Sequence, residues 1–460
     1  GLHDNFFELG GDSIISIQLV SRARQAGVRF TPKELFQHQT VQSLATVARE
    51  GDGVVQMDQS PLTGDLLLLP VQHSFFADEI PQRHHWNQSA VLQPHQPLQV
   101  PLLLAALQAL IVHHDALRST FVEGAQGWSA AYRGPDQHQA EQVLWQTTLN
   151  SVEELEALGE EAQRSLDLGA GPLLRAVLAQ LADGSQRLLL VIHHLVVDGV
   201  SWRILLEDLQ STYQQLAQGA PVTLPAKTSA TRAWAARLQT YAHSPALQQE
   251  LVWWQTQLQG SPVGLPGADP QASLSNQLAL SVSTHLDATY TRRLLHDAPS
   301  AYRTQINDLL LTALARVITR WSGEASTLIR LEGHGREDLF DDIDLTRTVG
   351  WFTSLYPVQL APADSLAASL KRIKEQLRAV PDKGLGFGAL RYLSNAATQQ
   401  ALAALPQPRI TFNYLGQFDA SFDSGEQPGL FTPTADASGA EQSPQAPLGN
   451  WLEINGQVSV

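Results

Sequence analysis

Some reactive side chains stand out before any fold is considered. His193-His194 follows the continuous apolar run Leu188 to Ile192 and leads into Leu195-Val196-Val197-Asp198-Gly199. A histidine takes or gives a proton near neutral pH, and the end of a buried strand is a common place for such chemistry. His194 shares side-chain parity with Leu190 and Ile192, and His193 with Val191, so periodicity leaves open which ring faces a cleft. Asp198 can orient a ring or pair with an arginine, Arg336 or Arg330. Gly199 can permit a tight turn. Glu332 closes the strand pattern Thr327 to Leu331 and opens Glu-Gly-His-Gly-Arg-Glu. It is a second acid/base candidate, distant from His194 in the chain, so only the fold can bring the two together. Ser13 follows Gly10-Gly11-Asp12 and starts an apolar-periodic run. An isolated Asp-Ser there reads as a helix cap. The same position also favours a phosphate, through backbone N–H groups and the helix dipole.

Composition narrows the classes. The chain has 460 residues and a formal net charge of −15. Residues 1–50 carry equal numbers of acidic and basic groups, so the excess charge lies beyond them. This balance argues against a nucleic-acid binder and against a polybasic membrane surface. There is no cysteine. Disulfides, thiolate catalysis and Cys-ligated zinc are therefore excluded, and a cytoplasmic enzyme is the expected setting. No apolar stretch reaches the length of a membrane span, and the first residues do not read as a signal peptide. The doublets His84-His85 and His113-His114 invite a metal hypothesis, but both read as structural and no metal is expected.

The elements that must position these residues fall into two unequal pieces. Residues 1–50 read as short helices: one after Asp12-Ser13 that stops near Gly27, one opened by Thr31-Pro32-Lys33-Glu34, and one capped by Thr40 that carries Val41, Leu44 and Val47. Residues 51–61 read as a linker. Residues 62–460 alternate helical and strand patterns: helix over Leu102 to Leu117, strand over Leu188 to Ile192 and helix over Ile204 to Leu216. The second half repeats this with a helix near Ile306 to Thr319, a strand near Thr327 to Leu331 and a helix near Leu366 to Leu377. That is an α/β pattern. Residues 423–449, rich in Ser, Pro, Gly and Ala, read as a solvated loop.

Longer motifs add a family. DNFFELGGDSI (Asp4 to Ile14) with the helices after it resembles the peptidyl carrier domain of nonribosomal peptide synthetases. The resemblance implies a small all-α bundle with 4′-phosphopantetheine on Ser13. That arm's thiol holds an aminoacyl or peptidyl group as a thioester, so the sulfur comes from the cofactor in a chain without cysteine. The family's first carrier helix is expected before Gly1. HHLVVDG (His193 to Gly199) resembles the HHxxxDG signature of the condensation-domain superfamily, whose fold is two chloramphenicol-acetyltransferase-like lobes around a tunnel. The histidine matching His194 is the active one there, and the aspartate matching Asp198 is mainly structural.

Within that superfamily several stretches resemble epimerization domains: DGVSWRILLEDL (Asp198 to Leu209), EGHGRE (Glu332 to Glu337), VGWFTSLYPV (Val349 to Val358) and FNYLGQFD (Phe412 to Asp419). PDKGLGFG (Pro381 to Gly388) lacks a Walker setting. It resembles the family's PxxGxGYG segment, with Phe387 in place of tyrosine. The resemblance implies lobes at about 62–235 and 236–460, the second continuing past Val460. It implies inversion at Cα of the tethered acyl group, with His194 and Glu332 as acid/base pair and Asn413 and Tyr414 near them. A phosphopantetheinyl transferase, an upstream adenylation domain and a downstream condensation domain are the implied partners. The rivals are a condensation domain that forms a peptide bond and an inactive carrier-docking platform.

Overall fold

The computed structural model describes residues 1–51, 57–417 and 429–458. Near the N-terminus, helix α1 (Ser13–Gln25) is capped by Asp12, whose Oδ1 accepts from the N–H groups of Ile14 and Ile15 at 2.9 and 2.7 Å. Helix α2 (Pro32–Gln37) opens with the capping box of Thr31 and Glu34. Val20, Phe30 and Leu35 close a small core of their own. Thr40 caps only a single turn, Val41–Leu44, so Val47 lies outside it. The bundle is not purely helical, because Val28–Arg29 pairs antiparallel with Arg49–Glu50.

The first lobe holds α3 (Pro70–Ala77), β1 (Asn87–Pro94), α4 (Val100–His113), β2 (Leu144–Leu149), β3 (Leu174–Leu181), β4 (Gln186–His193) and α5 (Gly199–Ala217). Strand β4 is central because it is covered on both faces. Leu188, Leu190 and Ile192 join the main core under α4 and α5, while Leu189 and Val191 pack with Leu155 and Ala162 on the other side. Two-sided burial is what an unbroken apolar run requires. The 3-10 helix Asp115–Arg118 continues the expected first helix.

Helix α6 (Thr231–Ala242) then leads to the second lobe. The expected division at 235/236 falls inside it, between Ala235 and Leu238, which are buried on one helix face. The lobe continues with α7 (Ile306–Ser322), β5 (Thr327–Gly333), β6 (Ser354–Leu360), α8 (Leu366–Arg378), α9 (Leu385–Leu393) and β7 (Ile410–Gln417), then β8 (Phe431–Pro433) and β9 (Leu452–Val458). Its sheet has the order β6-β5-β7-β9, with β5 antiparallel to β6 and the other neighbours parallel.

Strand β8 does not join that sheet. It pairs antiparallel with β1, giving the first-lobe order β8-β1-β4-β3-β2. This corrects the solvated-loop reading at 431–433 and at the buried Ser443 and Ala446, while the rest of 434–449 is irregular and largely exposed or half-buried; residues 423–428 lie outside the described residues. Phe431, Ser443 and Ala446 are buried. A three-residue strand inside Pro- and Ser-rich sequence carries no periodic signal, which is why composition misreads it. Among the described residues no helix is long and apolar enough to cross a membrane.

Candidate active site

His193 and His194 part company at the end of β4. His193 is fully buried and both of its nitrogens are used. Nε2 donates to the Arg83 carbonyl at 2.7 Å, and Nδ1 accepts from Leu195 N–H at 3.1 Å. Burial lowers its pKa to about 3, so it stays neutral and structural. His194 has left the strand and opens the 3-10 turn His194–Val196. Its Nδ1–H donates to the Val197 carbonyl at 2.8 Å. A carbonyl only accepts, so the proton sits on Nδ1 and Nε2 presents a lone pair. Burial, the main cause, pulls its pKa below the ordinary range. The ring stacks on Trp351 with centroids 4.1 Å apart.

The partner of His194 Nε2 is a residue that motif reading does not find. Gln88, opposite Ile192 in the β1–β4 register, places its amide nitrogen 3.3 Å away. The Gln88 oxygen accepts from the Trp202 indole at 2.9 Å, which turns the NH₂ toward the imidazole. Trp202, Gln88, His194 and Val197 thus form one chain of hydrogen bonds that favours the neutral ring. Gln88→Glu is expected to raise the His194 pKa, because a carboxylate replaces the amide donor. An NMR titration of His194 in that variant that shows no rise would remove Gln88 from this role.

Asp198 is structural. Its Oδ1 caps α5 through Ser201 N–H at 2.8 Å, and Arg336 Nη2 lies 2.9 and 3.1 Å from its two oxygens. Oδ2 also accepts from Phe352 N–H at 3.1 Å. Ser201 Oγ exchanges hydrogen bonds with Gly350. The buried Arg336 guanidinium donates further to the carbonyls of Leu345 and Thr348. This knot joins the turn after His194 to the segment that carries Trp351. It selects Arg336 over Arg330 as the arginine partner. Gly335, at φ 70°, is required here, since a Cβ would collide with the Phe352 carbonyl oxygen. Gly199 does not make the expected tight turn. It is the exposed first residue of α5, and open space surrounds its missing Cβ. The 3-10 turn and the extended Asp198 reverse the chain instead.

Glu332 lies on β5 opposite Leu355 of β6. It is half-buried, and burial pushes its pKa up to about 7; Glu453 adds to the rise and Arg330 opposes it. Arg330 and Glu332 share one face of the sheet, since alternate strand residues do. Arg330 also lines a cavity of about 90 Å³ with Trp351, so the residue that stacks on His194 and the residue beside Glu332 border the same space. No direct contact joins His194 to Glu332.

The end of β7 separates Asn413 from Tyr414. Asn413 pairs with Asn455 of β9. Tyr414 lies on the opposite face and lines a second cavity, of about 60 Å³, with Ser13, Thr304 and Asn307. Ser13 is exposed at the first position of α1, and its hydroxyl is free of capping duty because Asp12 performs it. The buried Thr304 Oγ1 has no hydrogen-bond partner among the described residues. An accessible hydroxyl, an orphaned donor and an amide side chain around one cavity fit a phosphopantetheine arm with its peptide-like groups. Gly416, at φ 70°, lets the chain pass the Asp12 carboxylate; a Cβ there would lie 2.6 Å from Oδ2. Arg203 of α5 donates to the Leu415 carbonyl at 3.2 Å, tying the helix after His194 to that turn. His296 Nδ1 to the Glu8 carbonyl at 2.9 Å and the Arg24–Asp344 ion pair hold the small domain to the second lobe. Phe418 and Asp419 of the FNYLGQFD stretch lie outside the described residues.

The other doublets are spoken for. His84 Nδ1 accepts from Leu168 N–H at 2.9 Å, and His85 Nε2 meets the Ala440 carbonyl. His113, His114 and Asp208 bring ligand-type atoms within 4.8 Å of one another. Both Asp208 oxygens are already engaged, by His114 Nε2 at 2.8 Å and by Arg347. The arginine supplies the counter-charge a cation would bring. The cluster ties α4 and α5 to the second lobe.

Comparison with known proteins agrees with this anatomy. Residues 63–445 match the condensation domain family, and residues 1–48 match the phosphopantetheine attachment site family. One of the proteins that make up the linear gramicidin synthase of Brevibacillus parabrevis is 46% identical over 472 residues, covering 100% of this chain and 6% of that protein. Surfactin synthase subunit 1 of Bacillus subtilis (strain 168) is 41% identical over 464 residues, covering 100% of this chain and 13% of that protein. The chain thus spans a small fraction of these relatives' length. The epimerization domain from the third module of tyrocidine synthetase B superposes with a TM-score of 0.81 at 37% identity, covering 88% of this chain and 91% of that one. The first condensation domain of the calcium-dependent antibiotic synthetase shares the fold, with a TM-score of 0.59 at 21% identity over 76% of this chain and 80% of that one. The chain therefore belongs to the condensation-domain superfamily of nonribosomal peptide synthetases, with a phosphopantetheine attachment domain at its N-terminal end.

Proposed function

We propose that the large domain inverts the configuration at Cα of an acyl group held as a thioester on the phosphopantetheine of Ser13. The observation that carries this reading is Glu332, a carboxyl group that burial pushes up to about 7, on the sheet face of Arg330, which lines one cavity with the Trp351 that stacks on the neutral His194. An acid/base group works best when its pKa lies near the working pH, because both forms are then populated. The similarity to the tyrocidine synthetase epimerization domain supports the same reading.

The arm supplies a thioester, whose carbonyl acidifies the neighbouring Cα–H. The chain's own residues do the rest. Glu332 as carboxylate takes the Cα proton on one face. In that direction His194 enters as the imidazolium and returns a proton to the other face from Nε2, with Nδ1–H fixed on Val197. In the reverse direction neutral His194 takes the Cα proton at Nε2, and Glu332 starts protonated and donates. The Asp198–Arg336 knot holds the histidine turn and the Trp351 segment in register during both directions. The proposed partners are a phosphopantetheinyl transferase that modifies Ser13, an adenylation domain that supplies the acyl group, and a condensation domain that accepts the D product.

The test is solvent exchange. The protein carrying an L-acyl-phosphopantetheine on Ser13 is incubated in deuterated water, and Cα deuterium and chirality are read by mass spectrometry and chiral separation. Deuterium uptake with D product is the expected result. Peptide formation with a donor carrier and no uptake would replace this reading with condensation. Neither activity from a folded protein would leave a docking platform.

A further inference from the structure

The cavity lined by Trp351, which stacks on His194, and by Arg330 of the Glu332 strand bears on the cargo. It lies between α3, α6, β6 and α9 and is walled by apolar groups, among them Trp234, Leu385 and Phe387. Two polar groups that line it are orphaned. Trp351 and Ser354 are 8% and 9% exposed, and neither the Trp351 Nε1–H nor the Ser354 Oγ has a hydrogen-bond partner among the described residues. A buried donor without a partner is costly, so such a pair marks a place where a ligand supplies the missing bond. An indole N–H can only donate and therefore calls for an acceptor. Two guanidinium groups, Arg330 and Arg391, line the same space.

This combination discriminates between the two kinds of thioester that a carrier presents. An aminoacyl group ends in an ammonium, which offers no acceptor to the indole N–H. A peptidyl group offers amide carbonyls at the same position and an apolar side chain for the aromatic wall. Resting on the epimerase reading, we infer that the cavity receives the residue upstream of the reacting Cα, with its amide carbonyl accepting from Trp351 Nε1–H. The substrate class is then a peptidyl thioester with an apolar penultimate residue. The position fits, because Trp351 stacks on His194 and Arg330 stands two residues before Glu332 on the same sheet face.

The experiment loads Ser13 of the full chain with alanyl- or leucyl-alanyl-phosphopantetheine and compares initial rates of Cα deuterium uptake. The dipeptidyl cargo is expected to exchange at least about tenfold faster. Trp351→Phe keeps a ring against His194 but removes the N–H, and is expected to shrink the ratio about two- to tenfold. Equal rates, faster alanyl exchange or an unchanged ratio in the variant would overturn the cargo inference while leaving the epimerase intact. Exchange on neither cargo in a folded protein would sink the epimerase reading instead. A second readout then decides the cavity: a photoreactive diazirine on the leucyl side chain should label Phe387 or Tyr392. Labelling confined to other surfaces overturns the inference.

Discussion

Glu332→Gln is expected to slow Cα exchange by about a hundredfold to ten-thousandfold, the scale of losing one general acid/base. It is also expected to make the protein more stable above neutral pH. The carboxyl is raised from 4.5 to about 7 in the folded chain, chiefly by burial. Between those values the folded state holds a proton that the unfolded state has released. Its favourable contribution is therefore complete below about 4.5 and lost as pH rises through about 7. Glutamine keeps the shape and never ionises, so it escapes that loss. Thermal unfolding should show a midpoint roughly 2 °C or more higher than wild type at pH 8, a gain that vanishes by about pH 3.5. The wild-type pH profile carries the same signature. Both directions need the pair to hold one proton, so both should fall as pH rises above about 7 and fall again in acid once His194 is protonated as well. A variant that exchanges at wild-type rate would remove Glu332 from catalysis.

Asp198→Ala should be the most damaging substitution to the fold. It strips a helix cap, a backbone acceptor for Phe352 and the counter-charge of a buried arginine in one step. Leaving Arg336 uncompensated costs about 3–5 kcal/mol, and the lost cap adds about 1 kcal/mol. Asp198→Asn keeps the cap and the shape, so it should retain more stability. Denaturant midpoints of the two variants check this, and a loss below about 1 kcal/mol for the alanine variant would contradict the knot. Activity should fall with stability in both, since neither residue change touches the cleft directly.

Part of this site is legible in the sequence. His194 and Glu332 each close an apolar run, and strand ends that bear titratable groups are readable without coordinates. The helices after Asp12, Thr31 and Asp198 are readable because caps announce them. Gln88 is not readable. It sits in a polar stretch with no motif, and its role exists only because the β1–β4 register sets it opposite Ile192 and because Trp202 reaches back from α5. The roles of Asn413 and Tyr414 are equally hidden. Adjacent strand residues face opposite sides, so the pair divides between the Asn455 row and the Ser13 cavity. The position of β8 is set by long-range pairing that composition does not record.

That short strand has a mechanical consequence. The chain leaves the second lobe after β7, is stitched to β1 through Phe431, Thr432 and Pro433, and returns as β9. On the way Asp436 pairs with Arg187 at 2.6 Å, and Glu441 accepts from Ser89 at 2.7 Å. A hinge that spread the lobes would have to peel this latch from the first sheet, breaking backbone and ionic links together. On the epimerase reading, such a latch would hold the lobes as a stator, and turnover would be paced by the swing of the tethered arm rather than by breathing of the enzyme around its cargo.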